Sequence, residues 1–454
     1  MKKFECLFFC ISLFIAFSFS FAHEPPAQDT PQAPPRTETP PPAQEKETPP
    51  PAPEKEKPPP APEKEKPPPT QEKETPSGET TINTNVEITF KGSFTKVYAF
   101  GDSYTDTGNC FFVEGLKAFL LKVSSQYAKL TNLHGHRLCN GRLVIDFLCH
   151  DIGLPPLEAY KDVKANFSGG ANFAVGGSTC LSSQFFANQK IFRSLMWKPV
   201  PDNTLEQIEW FNSYLQSAGC KEKDDAKCKT QIENSLFWIG ALGSSDYARI
   251  LGSSFSGKSL SEASVGHVGQ FLQSLLDKGA KYIIVQGLPP VGCCPLQMLL
   301  NKAKGHDELG CSAAVNSMIM SHNELLQKSL EEYREGNKDC VIIFADTWKA
   351  YMEILKDHKK FNFEEPFKAC CGVGGGELNF CLKNLCGSAG STTCKDPEKY
   401  ISWDGIHFTE AMNKHLAKLL FHEKGYCSPE FDVLIEARKK VSVSVGASTS
   451  GGAA

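Results

Sequence analysis

Three side chains near the two ends of the globular part of this 454-residue chain have the chemistry of a nucleophilic triad. Ser103 lies in the segment FGDSYTDTGN, and Asp404 and His407 lie in SWDGIH. A serine hydroxyl is a weak nucleophile, and it becomes reactive when a base accepts its proton and a third group orients that base. His407 can be the base, because Asp404 can accept from one ring nitrogen while the other faces the serine. Taken alone, these residues also fit a turn serine and a structural Asp-x-x-His pair.

Motifs of several other chemistries are absent. The sequence contains no G-x-G-x-x-G of dinucleotide-binding folds and no H-E-x-x-H of metalloproteases. It also lacks G-x-S-x-G, the nucleophile elbow of the α/β-hydrolases. The sequence therefore signals serine chemistry on a different framework.

The pattern of apolar residues predicts that framework to be a parallel α/β sheet. From residue 96 onward, short apolar runs alternate with segments of helical periodicity, which is typical of such a sheet. The predicted strands are residues 97–100, 171–175, 236–239, 282–286 and 341–345. The predicted helices include residues 203–218, 265–278, 312–334 and 410–422.

Three of the predicted strands end in turns rich in glycine or serine. The first turn carries Ser103, the second contains Gly177 and the third contains Ser245. In open α/β sheets, ligands bind in the crevice at the carboxyl ends of the strands. We therefore expect the three turns to converge on one site.

Several separated blocks, in order, resemble the GDSL-motif esterase/lipases, which are also called SGNH hydrolases. Residues 97–109 are similar to the first block of that family, with Tyr104 in place of the leucine of the name motif. Residues 170–177 (GANFAVGG) resemble the second block, and residues 402–411 (SWDGIHFTEA) are very close to the fifth. Supporting similarities are LCNGR at 138–142, GLPPVGC at 287–293 and the pair His322-Asn323. The resemblance covers about residues 95–427 and is closest to the plant extracellular branch, some of whose members carry Pro-rich N-terminal arms.

The resemblance implies a three-layer α/β/α sandwich with a five-stranded, mainly parallel sheet of the flavodoxin-like SGNH type. It implies a carboxylic ester hydrolase that acts on an ester or lipid substrate through an acyl-serine. By this resemblance Ser103 is the nucleophile, His407 is the general base and then the acid, and Asp404 orients the histidine. The backbone N–H groups of Ser103 and Gly177 hold the oxyanion. Enzymes of this family need no metal and no organic cofactor.

One position departs from the family pattern. The third block of the family reads Gly-x-Asn-Asp, and its asparagine side chain is a third oxyanion donor. This chain reads GSSD at residues 243–246, so Ser245 replaces the asparagine. Losing one oxyanion donor typically costs about 10²–10³ in kcat. We therefore expect a weakened or re-specialised esterase, and the alternative is a catalytically inactive wall-associated or binding protein that retains the fold.

The first 22 residues have the composition of a secretory signal peptide. Two lysines precede an almost unbroken apolar stretch, which ends in the cleavage-type sequence Ser20-Phe21-Ala22. A membrane anchor is the competing interpretation, but the stretch is short for a spanning helix. The protein is therefore predicted to be secreted and extracellular. No later segment has 18 consecutive apolar residues, so no transmembrane segment is expected in the mature protein.

Residues 23–77 form a predicted proline-rich arm. They hold 20 of the 30 prolines and repeat a nine-residue unit, PPPAPEKEK in its cleanest copies. Such a composition favours an extended, solvated polyproline II segment. It is interpreted as a spacer or cell-wall-facing stalk, and a docking ligand is the alternative. Residues 78–430 are the predicted hydrolase domain, and residues 431–454 are a predicted flexible tail.

The charge distribution argues against nucleic acid as a partner. The formal net charge is −4, and residues 23–77 alone contain 7 Lys/Arg and 11 Asp/Glu. The rest of the chain is therefore balanced, and it has no basic excess to bind a phosphate backbone.

The cysteines are predicted to form disulfides. Sixteen of the 18 lie outside the predicted signal peptide, and an oxidising destination favours pairing. A zinc site is the alternative for one C-terminal cluster, although no C-x2-C spacing occurs in it. That cluster comprises Cys370, Cys371, Cys381, Cys386 and Cys394. Asn166 begins an Asn-Phe-Ser sequon and is a predicted glycosylation site.

Overall fold

The central sheet is built from the short apolar runs of the sequence. The computed structural model describes residues 90–112, 136–191, 203–220, 226–250, 253–302 and 305–450. The predicted signal peptide and proline-rich arm lie outside these ranges. The five parallel strands are β1 (Val97–Phe100), β2 (Gly170–Asn172), β3 (Leu236–Ile239), β4 (Tyr282–Gln286) and β5 (Val341–Ala345). They lie side by side in the order β2-β1-β3-β4-β5, so the predicted parallel sheet is confirmed.

The second strand is shorter than its predicted range. After Asn172 the chain stays bonded to β1, with Phe173 N donating to Ala99 O at 2.7 Å. The side-chain oxygen of Asn172, however, accepts the N–H of Ala174 at 2.9 Å. Because this local bond replaces a regular ladder partner, the strand ends two residues into the predicted range.

Helices cover both faces of the sheet. In chain order they are α1 (Val144–Ile152), α2 (Ser183–Asn188), α3 (Thr204–Ser217), α4 (Ala226–Glu233), α5 (Ser244–Arg249), α6 (Gly257–Leu276), α7 (Pro295–Leu300), α8 (Ala313–Gly336), α9 (Thr347–Lys356), α10 (Glu410–His422) and α11 (Phe431–Ser450). Tyr98 and Phe100 point to a core shared with α3, α6 and α8, and Val97 and Ala99 point to a second core shared with α1, α9 and α10. The strands are apolar throughout, rather than alternating, because both faces are buried. The predicted three-layer α/β/α architecture is confirmed.

Three very short strands accompany this framework. β6 (Cys371–Gly372) pairs antiparallel with β7 (Thr392–Thr393), and β8 (Cys427–Ser428) pairs antiparallel with the end of β5. Among the described residues, the main sheet therefore has six strands rather than the predicted five. Two-residue strands carry no periodic pattern, so they leave no signal in the sequence.

The C-terminal region differs from the predicted flexible tail. Residues 431–450 form α11, and its first turns contribute Phe431, Leu434 and Ile435 to the second core. Three apolar residues at helical spacing are enough to attach this helix to the domain. Within the described ranges, no helix is both long enough and apolar enough to cross a membrane.

Disulfides account for only part of the cysteines. Within the described ranges, disulfides join Cys220 to Cys228, Cys293 to Cys311, Cys370 to Cys394 and Cys371 to Cys386. The last two pair four members of the C-terminal cluster, which supports disulfides there rather than zinc. Free thiols remain at Cys110, Cys139, Cys149, Cys180, Cys294, Cys340 and Cys427. The expectation of general pairing is therefore wrong for these seven, six of which are buried like small apolar side chains.

Candidate active site

The first turn places Ser103 at the carboxyl end of β1. Asp102 begins a tight turn in which its side chain accepts the Tyr104 N–H at 3.0 Å. Gly101 has a φ of +149°, and a Cβ there would lie 3.2 Å from the Cα of Gly240 on the neighbouring turn. A side chain there would strain the backbone at this φ and would crowd the neighbouring turn, so glycine favours this close approach. Ser103 is 9% exposed, so it lies at the edge of the crevice with little contact with solvent.

The second turn brings Gly177 beside the first. Gly177 has a φ of +81°, in the left-handed region that favours glycine. The buried side chain of Gln207 on α3 joins the two turns, because its amide donates to Gly101 O at 2.8 Å and to Ser178 Oγ at 3.0 Å. Its oxygen accepts the Gly101 N–H at 3.0 Å. The segments that carry the two predicted backbone oxyanion donors are therefore fastened to each other.

The third turn connects to both of the others. Ser244 Oγ donates to Asp102 Oδ2, and Ser245 Oγ lies 3.4 Å from the same oxygen. The carboxylate of Asp246 accepts the N–H groups of Cys180 at 2.8 Å and Leu181 at 3.0 Å. The three predicted turns thus converge on one site, as the strand ends require.

The carboxyl group of Asp102 is the buried centre of this arrangement. Burial raises the pKa of Asp102 to about 6, although the bonds from Ser244, the Tyr104 N–H and Ser245 and the charge of His407 act in the opposite direction. Because burial outweighs these effects, Asp102 holds its proton more tightly than an exposed aspartic acid does.

Asp404 and His407 form a closely coupled pair in that loop. His407 Nδ1 lies 2.7 Å from Asp404 Oδ2, and both side chains are buried. Asp404 Oδ1 accepts the N–H groups of Ile406 at 2.9 Å and His407 at 2.7 Å. Burial would raise the pKa of Asp404, but the His407 charge and these hydrogen bonds lower it below its usual value. The carboxylate stays ionised and binds Nδ1, which leaves Nε2 of His407 for proton transfer.

Tyr104 joins the serine turn to the histidine loop. Its hydroxyl donates to Ile406 O at 3.1 Å, and its ring lies edge-on to the His407 ring with centroids 5.8 Å apart. No hydrogen bond joins the Ser103 hydroxyl to the His407 ring in the part of the chain that the structure describes. Such bonds are often long without substrate and tighten in the complex. Residues 102–104 and 404–407 are nevertheless held against each other.

The comparison with known protein families agrees with this geometry. A model of the GDSL-like lipase/acylhydrolases matches residues 97–420, which is well over half of the chain. The chain belongs to the GDSL-like lipase/acylhydrolase family. This match spans all the turns described above.

Named relatives are similar over most of their length. A GDSL esterase/lipase of Arabidopsis thaliana is 39% identical over 352 residues, which cover 76% of this chain and 90% of the relative. Acetylajmalan esterase 2 of Rauvolfia serpentina is 33% identical over 72% of this chain and 89% of the relative. Acetylajmalan esterase 1 of the same plant is 30% identical over 72% of this chain and 86% of the relative.

Two asparagines support the site without having been singled out from the sequence. The amide of Asn109 donates to Asn172 O at 2.7 Å and to Ala174 O at 2.9 Å. The amide of Asn172 donates to Thr105 O at 2.7 Å. Both side chains are fully buried, where a polar group needs partners. The available signals were Asn172 within an apolar run at the end of β2, and Asn109 directly before the apolar residues 110–112.

The LCNGR segment braces the helix that follows His407. Arg142 Nε pairs with Glu410 Oε1 at 2.7 Å, and Asn140 Oδ1 accepts the Glu410 N–H at 2.8 Å. A Cβ at Gly141 would overlap the Glu410 carboxylate, so a larger residue there would displace this side chain. This motif therefore positions the start of α10 rather than contributing to the chemistry.

A match to another motif has no structural support. Residues 252–259 (GSSFSGKS) fit the G-x4-G-K-S pattern of phosphate-binding loops. That loop follows a strand in nucleotide-binding folds, whereas here the preceding element is α5. Lys258 is exposed and pairs with Glu262 at 4.0 Å along its own helix. We interpret this match as a coincidence.

The predicted glycosylation site lies in an exposed loop. Asn166 is exposed, and its Oδ1 accepts the Ser168 N–H at 3.0 Å in a local turn. The sequon is therefore accessible, and glycosylation stays a prediction.

Proposed function

We propose that this chain is a serine carboxylic ester hydrolase that works through an acyl-serine intermediate. The observation that carries the proposal is the buried Asp404–His407 pair, held by Tyr104 against the turn of Ser103 at the carboxyl end of the sheet. A nucleophile, a base that accepts its proton and a group that orients this base are what such a mechanism needs.

In the first half of the reaction, Ser103 Oγ attacks the ester carbonyl carbon and its proton passes to His407 Nε2. Asp404, bound to Nδ1, stabilises the imidazolium that forms. The tetrahedral intermediate then breaks its bond to the alkoxy oxygen, which takes the proton from His407 and leaves as the alcohol. The acyl group stays on Ser103.

In the second half, a water molecule attacks the acyl-serine and gives its proton to His407. The intermediate releases the carboxylic acid, and the proton returns to Ser103 Oγ. The backbone N–H groups of Ser103 and Gly177 stabilise the oxyanion in both halves. The Gln207 bonds that join their turns support this assignment, because oxyanion donors act only when they are preorganised.

Ser245 is proposed as a weak third oxyanion donor. Its hydroxyl lies 3.4 Å from Asp102 Oδ2, and Ser244 already donates to that oxygen. The contact is long, so the hydroxyl can turn towards an oxyanion at small cost, but its reach is one bond shorter than that of an asparagine amide. We therefore expect an esterase of reduced turnover.

Small acetate esters are the proposed first substrate class, because two of the relatives are named acetylajmalan esterases. We also propose an extracellular location for the protein. The signal-like residues 1–22 and the disulfides of the domain support it, since disulfides persist in oxidising compartments. The proline-rich arm is proposed to associate with the cell wall.

The test compares p-nitrophenyl acetate and butyrate turnover by the wild type, by Ser103→Ala and by Ser254→Ala, an exposed serine that serves as the control. A fluorophosphonate probe with intact-mass detection reports the reactive serine separately. We expect Ser103→Ala to lose turnover and labelling, while Ser254→Ala retains both. Equal turnover by the wild type and Ser103→Ala would refute the proposal.

A binding protein that retains the fold is the second candidate function, and the replacement at Ser245 is the observation that favours it. Folded wild-type protein that neither turns over the esters nor labels at Ser103 would support this candidate.

A further inference from the structure

A hydrogen bond connects the residue directly after the proposed nucleophile to the residue directly before the proposed base. Tyr104 follows Ser103, Ile406 precedes His407, and the Tyr104 hydroxyl donates to Ile406 O at 3.1 Å. The two residues are 302 positions apart in the chain. A single side chain therefore links the two loops whose separation determines whether serine and histidine can exchange a proton.

The other polar groups of the histidine loop already have partners. Its N–H groups at 406 and 407 bind the Asp404 carboxylate, and Gly405 O accepts the Leu296 N–H at 3.0 Å. Ile406 O is also approached by the Cys294 thiol at 3.5 Å. A thiol is a weak donor, so the phenol supplies the stronger bond to this carbonyl.

The ring of Tyr104 adds a second contact on the same side. It lies edge-on to His407 at 5.8 Å and packs against Phe408 with centroids 5.1 Å apart. The leucine of the family's name motif has neither this ring nor a hydroxyl. Burial raises the pKa of Tyr104 well above its usual value, so the hydroxyl stays a donor throughout the working range of an esterase.

We propose that Tyr104 is a positioning residue that sets the separation between the Ser103 hydroxyl and the His407 ring through its hydrogen bond to the Ile406 carbonyl. The proposal rests on the proposed function for its kinetic consequence, but not for the structural link itself. The rate of proton transfer falls steeply as the distance between donor and acceptor grows. A small displacement of the histidine therefore lowers the rate of the chemical step more than it weakens substrate binding.

The experiment compares Tyr104→Phe, which removes only the hydroxyl, with Tyr104→Leu, which also removes the ring. Tyr98→Phe is the matched control, because Tyr98 is a buried tyrosine of β1 whose hydroxyl binds Gln231 Nε2 at 2.7 Å on a different element. We expect Tyr104→Phe to lower kcat for p-nitrophenyl acetate about tenfold with KM within about twofold. We expect Tyr104→Leu to lose more, and Tyr98→Phe to stay within about twofold of wild type in both constants.

Histidine-selective NMR tests the connection between Tyr104 and His407 without measuring turnover. We expect the ring resonances of His407, assigned with His407→Gln, to shift in Tyr104→Phe and not in Tyr98→Phe. Unshifted His407 resonances, or a Tyr104→Phe enzyme with wild-type kcat, would overturn the proposal. If the wild type has no Ser103-dependent turnover, the proposed function fails, and the NMR comparison alone decides whether Tyr104 positions His407.

Discussion

Restoring asparagine at position 245 should accelerate the enzyme. The family uses an asparagine amide as a third oxyanion donor, and this chain has Ser245 there. In the structure the Ser245 hydroxyl sits at the long limit of a hydrogen bond, 3.4 Å from Asp102 Oδ2. Asp102 keeps its bonds from Ser244 and from the Tyr104 N–H, so removing the Ser245 contact leaves its carboxyl group with two donors.

The size of the effect follows from the value of one oxyanion donor. Such a donor is worth about 10²–10³ in kcat, or about 2.7–4 kcal/mol at the transition state. The hydroxyl of Ser245 already supplies part of this stabilisation. Ser245 is half-buried, so water reduces the further stabilisation that an asparagine there would add. We therefore expect Ser245→Asn to raise kcat about 10- to 100-fold, with KM within about twofold, because the bond forms only in the transition state.

The assay is steady-state hydrolysis of p-nitrophenyl acetate, normalised by fluorophosphonate titration of Ser103 so that folded, active protein is counted. Ser245→Leu is the matched control, because leucine is close to asparagine in size and has no donor. Ser245→Ala measures what the hydroxyl contributes at present. If asparagine is no faster than leucine at position 245, or slower than the wild type, the proposed role of this position is wrong.

Three further outcomes are expected. Asp404→Asn keeps an acceptor for the loop N–H groups but presents an amide to His407 Nδ1, so kcat/KM should fall about 10³–10⁴-fold. A loss of less than tenfold in steady-state kinetics would contradict the orienting role of Asp404. Burial raises the pKa of Asp246 from 3.8 to about 7, so the folded protein holds a proton that the unfolded chain releases near its ordinary pKa. Its contribution to the free energy of unfolding should therefore fall as the pH rises from about 4 to about 7 and level off above. In urea titrations, the free energy of unfolding of the wild type minus that of Asp246→Asn should fall over this range, and a difference that does not change with pH would show that this carboxyl is not responsible. Deleting residues 23–77 should release the protein into the soluble extracellular fraction without changing the esterase rate, and unchanged retention in wall fractions would argue against anchoring by the arm.

The parallel strands were predictable because buried strands consist of apolar residues, which are visible in the sequence. Strands such as Leu236–Ile239 are covered on both faces, so each appears as an unbroken apolar run between turn residues. The helix Glu410–His422 was predicted with its observed bounds, because Thr409 caps it at the first turn. In these elements, the local sequence preference and the burial in the folded protein favour the same secondary structure.

Other elements could not be read in this way. The pairs formed by Cys371–Gly372 and Cys427–Ser428 are too short for any periodicity, and they exist because the chain passes beside a partner strand. The helix Phe431–Ser450 was predicted as a tail, since the surface that receives its apolar residues belongs to distant parts of the chain. The free thiols could not be predicted either, because a disulfide needs two cysteines at bonding distance and not only an even number of cysteines.

The sequence by itself determined which chemistry to look for. Ser103, Asp404 and His407, together with the order of the family blocks, predicted a nucleophile, a base and its orienting acid, because the resemblance supplies roles that residue type and local spacing leave open. Only the tertiary structure decided how the parts are held together. Gln207 joins two turns, Asp102 accepts from the hydroxyls of two serines, and Tyr104 connects the serine turn to the histidine loop. The residues in these contacts are from about 100 to about 300 positions apart in the sequence. Such contacts depend on which strand ends lie side by side, and that order is set by packing of the whole sheet.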